Sequence, residues 1–150
     1  MATLDICLPI KWASGQIRHG RGYTYWPKTT RRYKEALDLA LLPHKTDAFL
    51  EGPLSVSLWF FRPRPKSAPK REWFTVRPDY DNLGKPTLDC MSGALYGDDA
   101  QIIDGDVHKR YGDRWELHIR IEAVDGAPEP LGGELPKGKP ETPEKALKSL

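Results

Sequence analysis

Between Asp79 and Asp106 the chain places seven aspartates, Asp79, Asp81, Asp89, Asp98, Asp99, Asp104 and Asp106, and a single lysine, Lys85. The densest part reads Asp79-Tyr80-Asp81-Asn82-Leu83-Gly84-Lys85, and the pair Asp98-Asp99 follows with Ala100-Gln101. Carboxylate oxygens are hard ligands that suit a cation such as Mg²⁺, and clustered carboxylates repel one another unless a cation lies among them. Basic segments flank this island. Residues 11–34 contain seven Lys or Arg and no acid, and Arg62 to Arg77 contains six against the single Glu72. The formal net charge of +2 conceals this segregation. An acidic island between basic arms fits a site that binds metal and phosphate together. At a phosphodiester the chemistry would be hydrolysis, in which charge is neutralised, a water is aligned and the departing alkoxide is stabilised.

Each of these residues also has a plainer role to weigh. Paired aspartates cap helices and turns and complement the helix dipole, and runs of charge are commonly solvated faces. A calcium loop would use Asp79, Asp81 and Gly84 at its first, third and sixth positions, but Leu83 and Cys90 break the pattern at the fifth and twelfth. Asp104 and Asp106 could add ligands, but Gly105 between them favours a turn or bulge. His19, His44, His108 and His118 show no ligand spacing and read as ordinary surface or strand residues. Cys7 and Cys90 read as buried apolar groups, too few for a disulfide framework.

The elements that must position the island follow from periodicity. Leu4, Ile6 and Leu8 alternate with polar neighbours as a first strand. Residues 11–29 read as a long basic loop. Thr29 or Thr30 can cap a helix with Tyr33, Ala36, Leu37, Ala40 and Leu41 on its apolar face, ended by Pro43. Leu54, Val56, Leu58 and Phe60 alternate as a second strand. A second helix is predicted from about Leu83 to Leu95, with Asp81 and Asn82 as capping residues and Pro86 as a complication. If helical geometry reaches back to Asp81, then Asp81, Lys85 and Asp89 share one face. Two strands follow, around Ile102 to Tyr111 and Trp115 to Val124. The order predicts an α+β fold, a two-layer sandwich with a mixed sheet of about four strands and two helices.

The chain of 150 residues suits one domain, expected over residues 1–125. Residues 126–150 are rich in Pro, Gly, Lys and Glu and are expected to be a disordered tail. No charged-then-apolar leader and no apolar run of about 20 residues is visible. A cytoplasmic protein with reduced thiols is expected, with no membrane partner.

With Pro78 before the first motif, Leu88-Asp89 on the next turn and Asp98-Asp99-Ala100-Gln101-Ile102 after a short helix, the chain resembles the RusA family of Holliday junction resolvases. The resemblance covers the body from about Thr3 to Val124. It implies essential carboxylates at Asp79, Asp81 and Asp99, a catalytic lysine at Lys85, and Mg²⁺ as cofactor, with Mn²⁺ able to replace it. It further implies a homodimer that binds four-way DNA junctions and cuts two opposed strands in recombination and repair, in a bacterium or its phage. On this reading Asp79, Asp81 and Asp99 hold one or two metal ions, Lys85 contacts the scissile phosphate or steadies developing charge, Asn82 caps the helix in preference to bonding a ligand, and Asp98 orients the site. Arg18, Arg21, Lys28, Arg31 and Arg32, with Arg62, Arg64, Lys66, Lys70, Arg71 and Arg77, would contact phosphates. Trp26, Trp73 and Phe74 are candidates for stacking on bases, at least one being expected in the core or an interface instead. The alternatives are a general structure-selective nuclease for flaps and forks, and a non-catalytic DNA-binding protein.

Overall fold

The computed structural model describes residues 2–125; the expected tail, 126–150, lies outside the described residues. Strands β1 (Thr3–Leu8), β4 (Leu54–Pro63), β5 (Ile102–Gly112) and β6 (Glu116–Ala123) form one sheet, and β2 (Arg18–Gly20) and β3 (Tyr23–Tyr25) form a separate hairpin. Helices α1 (Lys28–Leu41) and α2 (Tyr80–Met91) complete the α+β fold. The sheet order is β1-β6-β4-β5. β6 runs antiparallel to both β1 and β4, whereas β4 and β5 are parallel. No described helix is long and apolar enough to cross a membrane.

Strand alternation sorts side chains into two layers. Leu54, Val56, Leu58 and Phe60 of β4 and Leu117, Ile119 and Ile121 of β6 are buried, and they meet Leu37 and Leu41 of α1 and Leu83 and Met91 of α2 in one core. Burying a side chain of this size contributes roughly 1.5–3 kcal/mol. The other sheet face, with Asp5, Cys7, Trp59, Phe61, Glu116, His118 and Arg120, is exposed or half-buried.

Several expectations from the sequence need correction. The loop expected over 11–29 contains the β2–β3 hairpin, closed by Arg21-Gly22, where Gly22 has φ 72°. A two-residue turn of this kind favours glycine because side chains clash at positive φ. Neither Thr29 nor Thr30 caps α1. Pro27 occupies the cap position, and Thr30 lies buried in the first turn with its hydroxyl donating to the Ser14 carbonyl at 2.8 Å. α1 also continues into a short 3₁₀ turn, Leu42–His44, that includes Pro43.

α2 starts three residues earlier than expected and ends at Met91, with Leu95 buried in the turn beyond. Asp79, rather than Asp81 or Asn82, holds its cap position. Pro86 sits inside the helix and has no N–H to give the carbonyl four residues back. That carbonyl belongs to Asn82, and it accepts instead from the Gly15 N–H at 3.1 Å. The proline therefore creates a docking point for the loop after β1. A Cβ on Gly15 would run into the Thr30 hydroxyl, so the close approach requires glycine. Thr87, also buried, donates to the Leu83 carbonyl at 3.0 Å and lies 2.7 Å from the Tyr33 hydroxyl, which joins α2 to α1.

Leu83→Ala is expected to cost about 2–5 kcal/mol, as for other fully buried leucines, whereas Leu39→Ala on the exposed face of α1 should change stability by no more than about 0.5 kcal/mol. Urea denaturation of both variants checks the assignment of faces; equal losses would contradict it.

Candidate active site

The parallel pairing of β4 with β5 requires a crossover connection, and α2 is that connection. Its N-terminus carries the first acidic motif. Asp79 has an extended backbone, and its carbonyl accepts from the Asn82 N–H at 3.2 Å. Its side chain makes no capping bond. The carboxylate is exposed and borders an open cleft of about 800 Å³. Asp81 is exposed in the first turn. Both carboxylates sit where the helix dipole favours negative charge.

Asp99 opens a single 3₁₀ turn, Asp99–Gln101, just before β5. Asp98 and Gln101 build that turn reciprocally. The Asp98 carboxylate accepts from the Ala100 N–H at 3.3 Å, and Gln101 Oε1 accepts from the Asp98 N–H at 2.8 Å. Gln101 Nε2 donates to the Phe49 and Gly52 carbonyls, both at 3.0 Å, anchoring the turn to the segment before β4. Asp98 and Gln101 thus shape the turn and leave Asp99 as the carboxylate it presents. Tyr96 Oη lies 2.7 Å from Asp99 Oδ1 and 3.2 Å from the Leu88 carbonyl, bridging the turn to α2. Burial, reinforced by Asp99, pushes the Tyr96 phenol up, so it stays protonated and donates.

Lys85 is exposed on α2, and its Nζ lies 2.9 Å from Asp89 Oδ1. Lys34 of α1 approaches the other Asp89 oxygen at 3.4 Å. The hydrogen bond to Asp89 pushes the Lys85 pKa up, helped by the charges of Asp89 and Asp99. The expected face of Asp81, Lys85 and Asp89 is therefore present, with Asp99 near enough to act on its lysine.

These carboxylates do not close around one point. Among the described residues, Asp79, Asp81 and Asp99 do not each bring an oxygen within 4.8 Å of the other two. An all-oxygen donor set of this kind suits Mg²⁺, which keeps several waters and binds through one or two carboxylates plus substrate phosphate rather than an all-protein cage.

The cleft beside Asp79 is lined by Arg62 and Arg77, by Trp12 and Trp115, and by Gln16 and Asn82. Arg62 places its guanidinium 5.6 Å from the Trp115 ring and 5.3 Å from the Phe74 ring. Asn82 was expected to cap α2; its side-chain oxygen instead accepts from Gln16 Nε2 at 2.9 Å. No spacing signal pointed to Trp12 or Gln16, in the loop between β1 and β2, or to Trp115, just before β6, all of which line the cleft.

Of the aromatic candidates, Phe74 is in the core, Trp26 is half-buried beneath Lys34 at 4.4 Å, and Trp73 is exposed with Arg110 over its ring at 4.3 Å. Arg64 pairs with Asp113 at 3.2 Å. One further expectation fails: Cys7 is exposed rather than buried. His118 is a strand residue as expected, and it forms a close group with Cys7 and Glu116 on the outer sheet face.

The N-terminus of α2 thus carries two exposed carboxylates, and that of Asp79 shares a cleft with Arg18, Arg62 and Arg77. Residues 9–122 match the family described as Endodeoxyribonuclease RusA, and the chain belongs to that family. Membership makes it a nuclease with DNA as its substrate. It is also similar to the Uncharacterized protein YqaN of Bacillus subtilis (strain 168), at 29% identity over 121 residues, which cover 73% of this chain and 85% of that protein.

Gln101→Ala removes three hydrogen bonds from the turn and should cost about 1–3 kcal/mol, while Tyr96→Phe should cost about 1 kcal/mol. Urea unfolding measures both, and a neutral Gln101→Ala would contradict the anchoring role.

Proposed function

We propose that the protein is a Mg²⁺-dependent resolvase of four-way DNA junctions, in which Asp79, Asp81 and Asp99 hold the metal and Lys85 acts at the scissile phosphate. The observation that carries this reading is the Asp79 carboxylate, free of any capping bond and facing a cleft with Arg62 and Arg77 on its walls. Mn²⁺ is expected to substitute, since both ions accept oxygen donors.

When bound, the metal supplies charge neutralisation at the phosphate and a more acidic water. The protein's own groups do the rest. Asp79 and Asp81 supply negative charge at the N-terminus of α2, and Tyr96 fixes Asp99 from the side of the 3₁₀ turn. Lys85, steered by Asp89, offers a cation to the developing charge. Arg62 and Arg77 hold backbone phosphates and set the strand's direction across the site. Two opposed cuts call for two equivalent sites related by a two-fold axis, so the working form is a homodimer. A bacterial or phage-infected cytoplasm is the setting expected for such a reaction.

Labelled four-way junction, linear duplex and flap, each with Mg²⁺ and with chelator, test the reading. Paired, metal-dependent cuts confined to the junction are expected. Equal cutting of the flap would favour a broader structure-selective nuclease, and tight binding without any cut would favour a binding protein.

Asp79→Asn or Asp99→Asn should lower cleavage by more than about 100-fold, the scale of losing one preorganised charged group, with junction binding largely retained. Full activity in both variants would sink the assignment. Arg62→Ala should weaken binding and reduce the slope of log affinity against log salt by about 1; filter binding at several salt concentrations reads the change, and an unaltered slope would remove Arg62 from the phosphate contacts.

A further inference from the structure

The sheet face turned away from the helices carries a cluster that DNA hydrolysis leaves unused. Cys7 of β1 and His118 of β6 are directly opposed register partners. Glu116 lies two residues before His118 and so projects from the same face. Cys7 Sγ is 3.2 Å from His118 Nε2, Glu116 Oε2 is 2.6 Å from that same nitrogen, and the sulfur lies 3.7 Å from the carboxylate oxygen. A ring nitrogen carries at most one proton and can donate it to one partner at a time. Three ligating atoms from two strands nevertheless converge within 4.8 Å of one another.

We propose that Cys7, Glu116 and His118 form a second metal site, selective for Zn²⁺ or a similar soft-tolerant divalent ion, that staples the edge strand β1 to β6. Water supplies the fourth ligand from the solvent side.

The donor set supports zinc. Thiolate, imidazole and carboxylate bind Zn²⁺ at about 2.0–2.3 Å, which in a tetrahedron sets neighbouring ligand atoms roughly 3.3–3.6 Å apart. The two separations from sulfur already bracket that range, and the Glu116 side chain has to withdraw by some tenths of an ångström from His118. One thiolate and one carboxylate balance a divalent charge. Mg²⁺ prefers oxygen ligands alone, so the two sites separate by chemistry.

The surroundings also orient the ligands. Arg114 holds Glu116 Oε1, leaving Oε2 for the metal. The His118 ring lies 4.7 Å from the Phe61 ring, which limits its rotation. Such outer contacts fix ligand orientation in metal sites. The His118 and Arg114 contacts hold the Glu116 carboxyl down to about 2, so it is ionised at neutral pH. Partial burial and the Glu116 carboxylate push the Cys7 thiol up, so an incoming metal must displace its proton.

Full-length protein in excess Mg²⁺, titrated with Zn²⁺ by calorimetry and with Co²⁺ by absorption spectroscopy, provides the test. One ion per chain is expected, with a sulfur-to-cobalt charge-transfer band and a higher melting temperature in Zn²⁺. Cys7→Ser should abolish the band, and both Cys7→Ser and His118→Gln should weaken Zn²⁺ binding at least about tenfold, the scale seen even for loss of an outer-shell contact. Asp79→Asn should change neither readout. The proposal falls if no saturable binding occurs in Mg²⁺, if the band survives in Cys7→Ser, or if Asp79→Asn removes it. Should Cys7→Ser fail to fold by circular dichroism, Cys90→Ala leaves Cys7 as the sole thiol, and its cobalt band decides: present supports the site, absent overturns it.

Discussion

The parallel pairing of β4 with β5 is the constraint on which the rest of the molecule depends. Parallel neighbours cannot be joined by a tight turn, so the chain leaves the sheet, crosses it as α2 and returns through the 3₁₀ turn at Asp99–Gln101. Both acidic motifs lie on that one excursion, one at the start of the helix and one at the return to the sheet. The crossover also leaves the opposite sheet face free for the separate group of Cys7, Glu116 and His118.

A crossover helix has to be held at both ends if its N-terminus is to work. At the start, the carbonyl that Pro86 leaves without an intrahelical donor takes the Gly15 N–H, and the Asn82 side chain takes the Gln16 amide. In the middle, Thr87 meets Tyr33 of α1. Beyond its end, Tyr96 ties the Asp99 turn back to Leu88. These contacts occupy groups around the proposed catalytic carboxylates and leave the carboxylates of Asp79 and Asp81 open to solvent.

Much of this was legible in the residues. Period-two alternation located β1, β4 and β6, and the α+β class followed from element order. The acidic motifs stood out by composition alone, and their family resemblance agrees with the match over residues 9–122. What spacing could not show was set by distant contacts. Pro86 read as a complication for α2 because a local rule cannot see that the Asn82 carbonyl finds Gly15 across the fold. Thr30 resembled a cap but serves the Ser14 carbonyl instead. The Cys7–His118 pairing depends on strand register across most of the chain, so neither residue announced the other. Phe74 and Trp73 are neighbours in sequence, yet tertiary packing buries the first and exposes the second.

The central claim is that the N-terminus of α2 and the Asp99 turn form one metal-dependent site. Paramagnetic broadening tests it without relying on cleavage: Mn²⁺ is titrated into isotopically labelled protein and amide signals are followed by NMR. The account predicts that signals from residues 79–85 and 96–101 broaden first and together, and that Mg²⁺ restores them. Broadening of only one of these segments, or of neither, would contradict it.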